Sequence, residues 1–337
     1  MKKHLMRVGT LGIATMLLGS HVGASSWDHT LSSQGSDGTL WANIPGPASS
    51  NQANLLLPYA ECGIGFHQSP IAINLTSSLV TTNPKTFSVD NNPQAETERH
   101  ADRLIAQYAR TNSTTEGTAI STDDGNAYVF LNTGHAVQVA FSKGYPGRLL
   151  VGRDVYPLVQ FHFHTPSEHI VETKSHPAGI QYAGELHFVH QREDGKLAVL
   201  TVFLDDSHGS ATENPILKMI IDHTPKESEH HPAFNSTGAG LSLDPSRLIP
   251  LESEHVFAYA GSLTTPPCSE GVSWYILSEP SRVAPDQIQQ LRKFYHSNSR
   301  VVQNTNYSNT NAQRTVTIRE HLHVDQDHDR DDGSKRY

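Results

Sequence analysis

Two short stretches hold the residues best placed to do chemistry: Gln160-Phe161-His162-Phe163-His164 and Glu185-Leu186-His187. In an extended strand successive side chains alternate between faces, so His162 and His164 point one way while Phe161 and Phe163 enter the opposite layer. Two imidazoles roughly 7 Å apart along a strand can share one metal ion. Glu185 and His187 share a face in the same way, which sets a carboxylate beside a third imidazole, where it can accept that ring's second N–H and fix its tautomer. Three neutral nitrogens and an open fourth position make a catalytic zinc site. With 21 histidines in the chain an isolated H-x-H pair carries little weight. The second strand-like run, with Glu185 and His187, gives the pair its metal reading.

The elements that must position these side chains read as strands. Short apolar or alternating runs recur at 68–73, 127–131, 136–141, 158–164, 185–190, 197–204 and 272–277, and their β-branched and aromatic content favours strands. Few helical patterns interrupt them, so alternating βα units are not indicated. The expected fold is α+β, mainly β: a single domain on a large, twisted, mostly antiparallel central sheet with a few short peripheral helices. One helix is predicted over 92–110, opened by Asn92-Pro93 and burying Ala101, Leu104, Ile105 and Tyr108. A second is predicted over 285–296, with Ile288, Leu291 and Phe294 or Tyr295 inward. Residues 25–56 read as an irregular N-terminal segment, 111–126 as a loop, and 321–337 as a disordered acidic, histidine-containing tail.

Residues 1–24 read as a signal peptide: Lys2, Lys3 and Arg7 precede an apolar run over 8–19, and Val22-Gly23-Ala24 resembles a cleavage site. That run is too short to span a bilayer and no later stretch is long enough. The mature chain is therefore expected to be exported, to the periplasm or beyond, with no membrane span. Three of the 25 basic residues lie in the signal segment, against 34 acidic residues in the whole chain. Nucleic acid and anionic membranes are poor partners for such a charge balance. An exported chain with only Cys62 and Cys268 reads as carrying one disulfide, two separate thiols being the alternative. Glu227-Ser228-Glu229-His230-His231 and the tail's His321, His323 and His328 read as solvated rather than metal-binding. The sequons at Asn74, Asn112, Asn235 and Asn306 matter only in a glycosylating host.

The loop Gly261-Ser262-Leu263-Thr264-Thr265-Pro266-Pro267-Cys268, taken with Gln68-Ser69-Pro70-Ile71, Gly134-His135-Ala136, Ser167-Glu168-His169 and Trp274, resembles the α-class carbonic anhydrases. The likeness runs in the same chain order from about Cys62 to Arg300, and the chain looks like a bacterial-type exported member, since Cys62 and Cys268 fall where such enzymes carry their single disulfide. It implies a carbonic anhydrase domain over 57–320, a zinc lyase that reversibly hydrates carbon dioxide to bicarbonate and a proton by a zinc-bound hydroxide. It implies His162, His164 and His187 as the Zn2+ ligands, with Gln160 and Glu185 supporting His162 and His187. Zinc-bound water in carbonic anhydrase has a pKa of about 7, a known property of that family and no deduction from these residues.

The same resemblance makes Thr264 the residue that orients the hydroxide, Glu168 the residue that orients Thr264, and Thr265 a contact for bicarbonate or anionic inhibitors. His135 matches the proton shuttle, and histidine's ordinary pKa of about 6.5 suits that task. Carbon dioxide is apolar and needs an apolar pocket, whose wall the resemblance assigns to Val189, Val199, Leu263 and Trp274. Strand alternation independently puts Val189 on the face of Glu185 and His187. Sulfonamide and anion inhibitors are expected, and a homodimer is left open.

Departures from the family are also visible. The early Trp-Gly-Tyr element has no counterpart before Trp41, which leaves the family's active-site tyrosine unassigned. The segment 84–124 is longer than the family's usual connection and reads as an interface or a surface flap. Two rival readings stand beside the resemblance. A cupin is suggested by His162-x-His164-x3-Glu168 and would make Glu168 a ligand, but Tyr156 and Ser175 stand where its flanking glycines belong. A carbonic anhydrase-like binding protein without turnover would typically lose a zinc histidine, and this chain retains all three.

Overall fold

In a computed structural model of the chain, the described residues are 62, 65–75, 81–82, 104–108, 110–112, 128–207, 209, 213–226, 241–250, 253, 255–295, 297–303, 317–320 and 323–325. The expected signal peptide, the segment 25–56, the Glu227 to His231 group and the tail residues His321 and His328 lie outside them. The first strands are β1 (Ala72–Asn74), β2 (Thr81–Thr82), β3 (Leu104–Gln107) and β4 (Thr111–Asn112). There follow β5 (Tyr128–Asn132), β6 (Val137–Phe141), β7 (Arg148–Val151), β8 (Asp154–His164), β9 (Ile170–Glu172), β10 (Gly184–Gln191) and β11 (Leu197–Asp205). Helix α1 (Pro215–His223) and β12 (Ser242–Leu243) precede β13 (His255–Ser262), β14 (Glu270–Leu277) and β15 (Ser281–Arg282). Helix α2 (Pro285–Leu291), β16 (Thr317–Glu320) and β17 (His323–Asp325) complete the order.

Most strands join one large sheet, ordered β17-β3-β7-β8-β10-β11-β14-β13-β16-β2, with β6 and then β5 beside β8. The ladders β6/β8, β8/β10 and β10/β11 are antiparallel, whereas β11 and β14 run parallel, so the sheet is mixed but mostly antiparallel, as expected. Alternation sorts its side chains into two layers. Phe161, Phe163, Leu186, Phe188, Leu200 and Val202 face the main core, shared with Ile216, Leu217 and Ile220 of α1 and Ile288 and Leu291 of α2. The opposite face carries a smaller apolar cluster around Val189, Val199 and Trp274. Burying each large apolar side chain stabilises the fold by roughly 1.5–3 kcal/mol.

Helix α1 has no counterpart in the sequence reading. Its start is nevertheless built as the rules of capping require: the Asn214 side chain accepts the N–H groups of Ile216 and Leu217 at 3.0 and 3.1 Å, with Pro215 in the first turn. Helix α2 is shorter than predicted, ending at Leu291, although Ile288, Leu291 and Tyr295 are all buried.

The helix expected over 92–110 is corrected at its described end. Leu104–Gln107 is strand β3, antiparallel to β7 and parallel to β17. Leu104, Ile105, Ala106 and Tyr108 are all buried. A strand covered on both faces is apolar throughout, and such a run satisfies a helical stripe equally well on paper. At these residues the long connection is therefore part of the sheet rather than a surface flap. The expectation of a disordered tail from 321 is likewise corrected at His323–Asp325, which pairs with β3. Among the described residues no helix is long and apolar enough to cross a membrane.

Candidate functional site

The site is assembled by cross-strand register. His162 on β8 lies opposite His187 on β10, which in turn lies opposite Thr201 on β11; Gln138 on β6 flanks His162 from the other side. One step along, His164 lies opposite Glu185. Period-two alternation therefore brings three imidazoles to one face. Their ring centroids are 4.9 Å (His162 to His164), 5.2 Å (His162 to His187) and 4.6 Å (His164 to His187) apart. One nitrogen from each lies within 4.8 Å of the others.

The partners of the rings decide which nitrogen each presents. His162 Nδ1 donates to Gln160 Oε1 at 2.9 Å, His164 Nδ1 to the Asn298 carbonyl at 2.9 Å, and His187 Nε2 to Glu185 Oε1 at 2.6 Å. Each of these oxygens acts here as an acceptor, so the bonded nitrogens carry the hydrogens. The lone pairs lie on His162 Nε2, His164 Nε2 and His187 Nδ1. The buried His164 Nε2 makes no hydrogen bond. Burial lowers the pKa of His164, which keeps it neutral as a ligand must be. Three neutral imidazole nitrogens with their outer N–H groups anchored fit a zinc ion.

Glu185 is the anchor of a second layer. Its Oε2 accepts the N–H groups of Glu168 and His169, and its Oε1 accepts His169 Nδ1 at 2.7 Å as well as His187. Burial alone would raise this carboxyl, but the charge of His169 and the hydrogen bonds from His169 and His187 hold it well below the usual carboxylate range. Because His169, Glu185 and His187 are spent on one another in this way, their clustering supports the first triad rather than forming another site.

The other expected residues are placed as follows. Glu168 is buried; its Oε1 accepts the Arg300 N–H at 2.8 Å and its Oε2 has no hydrogen-bond partner. Thr264 is buried just after β13, and the hydrogen bond expected from it to Glu168 is not formed at Oε2. Val189, Val199 and Trp274 are consecutive cross-strand neighbours, and Leu263 packs on the same cluster. The Trp274 ring lies 4.9 Å from that of His187, so this apolar wall adjoins the triad. Thr265 follows in the half-buried loop. Half-buried His135 occupies a tight turn in which Gly134 takes a positive φ of 81°.

Cys62 and Cys268 form a disulfide, with Cα atoms 5.0 Å apart. Around it, buried Arg300 donates to the carbonyls of Cys62 and Ser69 and to Gln68 Oε1, while Gln68 Nε2 donates to the Cys268 carbonyl. Burial pulls Arg300 down to about 10, which leaves it cationic at neutral pH. Sequence reading assigns no role to Arg300, to Asn298 or to Tyr259, whose hydroxyl donates to Ser69 Oγ at 2.9 Å and lies 2.7 Å from His169 Nε2. Asn298 and Arg300 lie in an irregular segment with no periodicity to announce them, and Tyr259 lies in β13, whose pattern is too apolar to single it out.

The eukaryotic-type carbonic anhydrase family model matches residues 105–320. The chain belongs to the α-carbonic anhydrase family. A carbonic anhydrase of Nostoc sp. is 29% identical over 291 residues, covering 86% of this chain and 92% of that protein. The α-carbonic anhydrase of Thermovibrio ammonificans, solved in complex with the inhibitor sulfanilamide, is 31% identical with a TM-score of 0.53, covering 79% of this chain and 92% of that one. A dioscorin solved in complex with ascorbate has a TM-score of 0.57 at 26% identity, covering 81% of this chain and 93% of that one. Hydration of carbon dioxide is the general activity of the α-carbonic anhydrases, and enzymes of this family are generally zinc enzymes. Membership removes the cupin reading of Glu168.

Proposed function

We propose that this chain is an active carbonic anhydrase that uses one Zn2+ to interconvert carbon dioxide and bicarbonate, CO2 + H2O ⇌ HCO3− + H+. The observation that carries this reading is the His162, His164 and His187 triad, with the outer nitrogen of each ring anchored so that the inner ones converge. Zn2+ held by those nitrogens would supply the Lewis acidity that activates water near neutral pH. Val189, Val199, Leu263 and Trp274 offer the apolar substrate a wall beside the triad. Thr264 orients the attacking oxygen by accepting its hydrogen bond and donates its own O–H to Glu168, whose Oε2 is the buried acceptor still lacking a donor. Thr265 contacts the product anion. His135 takes up the released proton and passes it to buffer.

Export to an oxidising compartment fits the disulfide between Cys62 and Cys268, and the periplasm or the exterior is the proposed location. The likeness to dioscorin is the ground for a second reading, a binding protein without turnover. Retention of the whole triad together with Thr264 and Glu168 favours the enzyme. Stopped-flow CO2 hydration on protein carrying one zinc per chain tests the choice. The expected result is catalysed hydration that sulfanilamide inhibits and a chelator abolishes; no catalysis with one zinc bound would overturn the proposal.

A further inference from the structure

The segment Asn298-Ser299-Arg300 lies outside every helix and strand, yet it bonds to His164, to Glu168 and to the turn that carries His135. Asn298 is 1% exposed and makes four contacts. Its carbonyl accepts His164 Nδ1, its Oδ1 accepts the Thr165 N–H at 2.9 Å, and its Nδ2 donates to two carbonyls, those of His135 and Phe163, each at 2.8 Å. The amide cannot be turned over: a backbone N–H only donates and the two carbonyls only accept, so Oδ1 and Nδ2 are fixed by their partners. One NH2 group thus bridges the turn that carries His135 to the residue between His162 and His164.

The turn itself is internally closed. Thr133 Oγ1 accepts the N–H groups of His135 and Ala136 at 3.2 and 2.9 Å, and Asn132 Oδ1 accepts that of Gly134 at 3.0 Å. These bonds fix the shape of the turn but not its distance from the histidine triad. The β6/β8 ladder begins only at Gln138, opposite His162, three residues beyond His135. The Asn298 side chain supplies a tether above that first ladder pair.

We infer that Asn298 is a positioning residue for proton exit: its side-chain amide holds the His135 turn at working distance from the triad, while its carbonyl separately anchors His164. This rests on the proposed function, with His135 as the shuttle. The two jobs are separable, because a substitution at 298 removes the amide and leaves the carbonyl. Displacing a transfer group by as little as 1 Å can reduce a rate by up to about 100-fold, and the loss should fall on proton release rather than on the CO2 step.

The test uses the full zinc-loaded protein and the variants Asn298→Ala and Asn298→Asp. The aspartate keeps the size and the acceptor for Thr165 but has no hydrogens to donate. Both variants are expected to bind one zinc, to keep kcat/KM within about twofold, and to lose about tenfold in kcat in dilute buffer, recovered by added imidazole. Independently of activity, amide exchange in residues 133–136 should accelerate about tenfold in both. A parallel fall in kcat/KM, or loss of zinc or fold in both variants, would overturn the inference, since the role would then be general support of the site. So would unchanged kcat in dilute buffer or unchanged exchange in the turn, with the wild type active and buffer-limited. An inactive zinc-loaded wild type instead overturns the proposed function itself.

Discussion

Glu168 has one oxygen bonded to the Arg300 N–H and the other, equally buried, bonded to nothing. Leaving such an acceptor unsatisfied costs about 1–3 kcal/mol, so its retention calls for a donor in the working enzyme, and Thr264 is the candidate. Glu168→Gln replaces an obligatory acceptor by an amide that can present N–H instead, which would reverse the hydrogen bonding of the threonine. Zinc content should stay near one per chain, because Glu168 is not a ligand, while CO2 hydration should fall about 100-fold, the usual effect of removing one orienting group. Metal analysis and stopped-flow kinetics on the same preparation check this; loss of zinc would show that Glu168 supports the metal site itself rather than the orientation of Thr264. The convergence of His162, His164 and His187 was legible from H-x-H and E-x-H because strand alternation decides which side chains share a face. Asn298 was not, because it acts on His164 through a carbonyl that every residue possesses.

At the scale of elements, strands with alternating or β-branched patterns were legible, and the sheet face of the triad followed from them. What failed was the distinction between a stripe and a slab. Leu104, Ile105 and Tyr108 fit a helix periodicity, but they belong to a chain segment buried from both sides, where periodicity carries no information. Helix α1 was missed for the opposite reason: nine residues give a weak periodic signal, and its stability comes from Asn214 and the packing of Ile216, Leu217 and Ile220. The disulfide ties such elements together, since it joins the segment before β1 to the loop that carries Thr264 and Thr265 across 206 residues of sequence. Closing so long a loop is worth about 5 kcal/mol by chain entropy, and removing native disulfides typically costs about 2–5 kcal/mol. Cys62→Ser/Cys268→Ser should therefore melt about 5–10 °C below the wild type, with a further loss of activity as the threonine loop loosens. Calorimetry and hydration assays with and without reductant on both proteins check it: reductant should bring the wild type to the variant's values and leave the variant unchanged.

At the scale of the whole molecule, the sheet separates a chemical face from a packing face, and one histidine lies on the packing side. His190 alternates away from His187 and Val189 into the main core, where its Nδ1 donates to the Ala198 carbonyl at 3.3 Å and its Nε2 accepts the Tyr108 hydroxyl at 2.8 Å. Tyr108 comes from the long connection, so this pair also fastens that segment to the body. Burial pushes His190 down to about 3 and the Tyr108 hydroxyl well above its ordinary value. An unfolded histidine titrates near 6.5. Between those values the unfolded chain binds a proton that the native core refuses, so stability declines as pH falls from about 6.5 and the decline from this group levels off near 3. The slope it contributes is at most about 1.4 kcal/mol per pH unit. His190→Gln can reproduce both hydrogen bonds without titrating. Whatever it loses in packing at pH 7.5, its stability should fall less steeply between pH 6.5 and 4 than that of the wild type. Urea unfolding of the metal-free proteins across that range measures the difference, and His164, common to both, cancels from it. Equal slopes would show that the acid sensitivity of the fold resides elsewhere than in the His190 and Tyr108 pair.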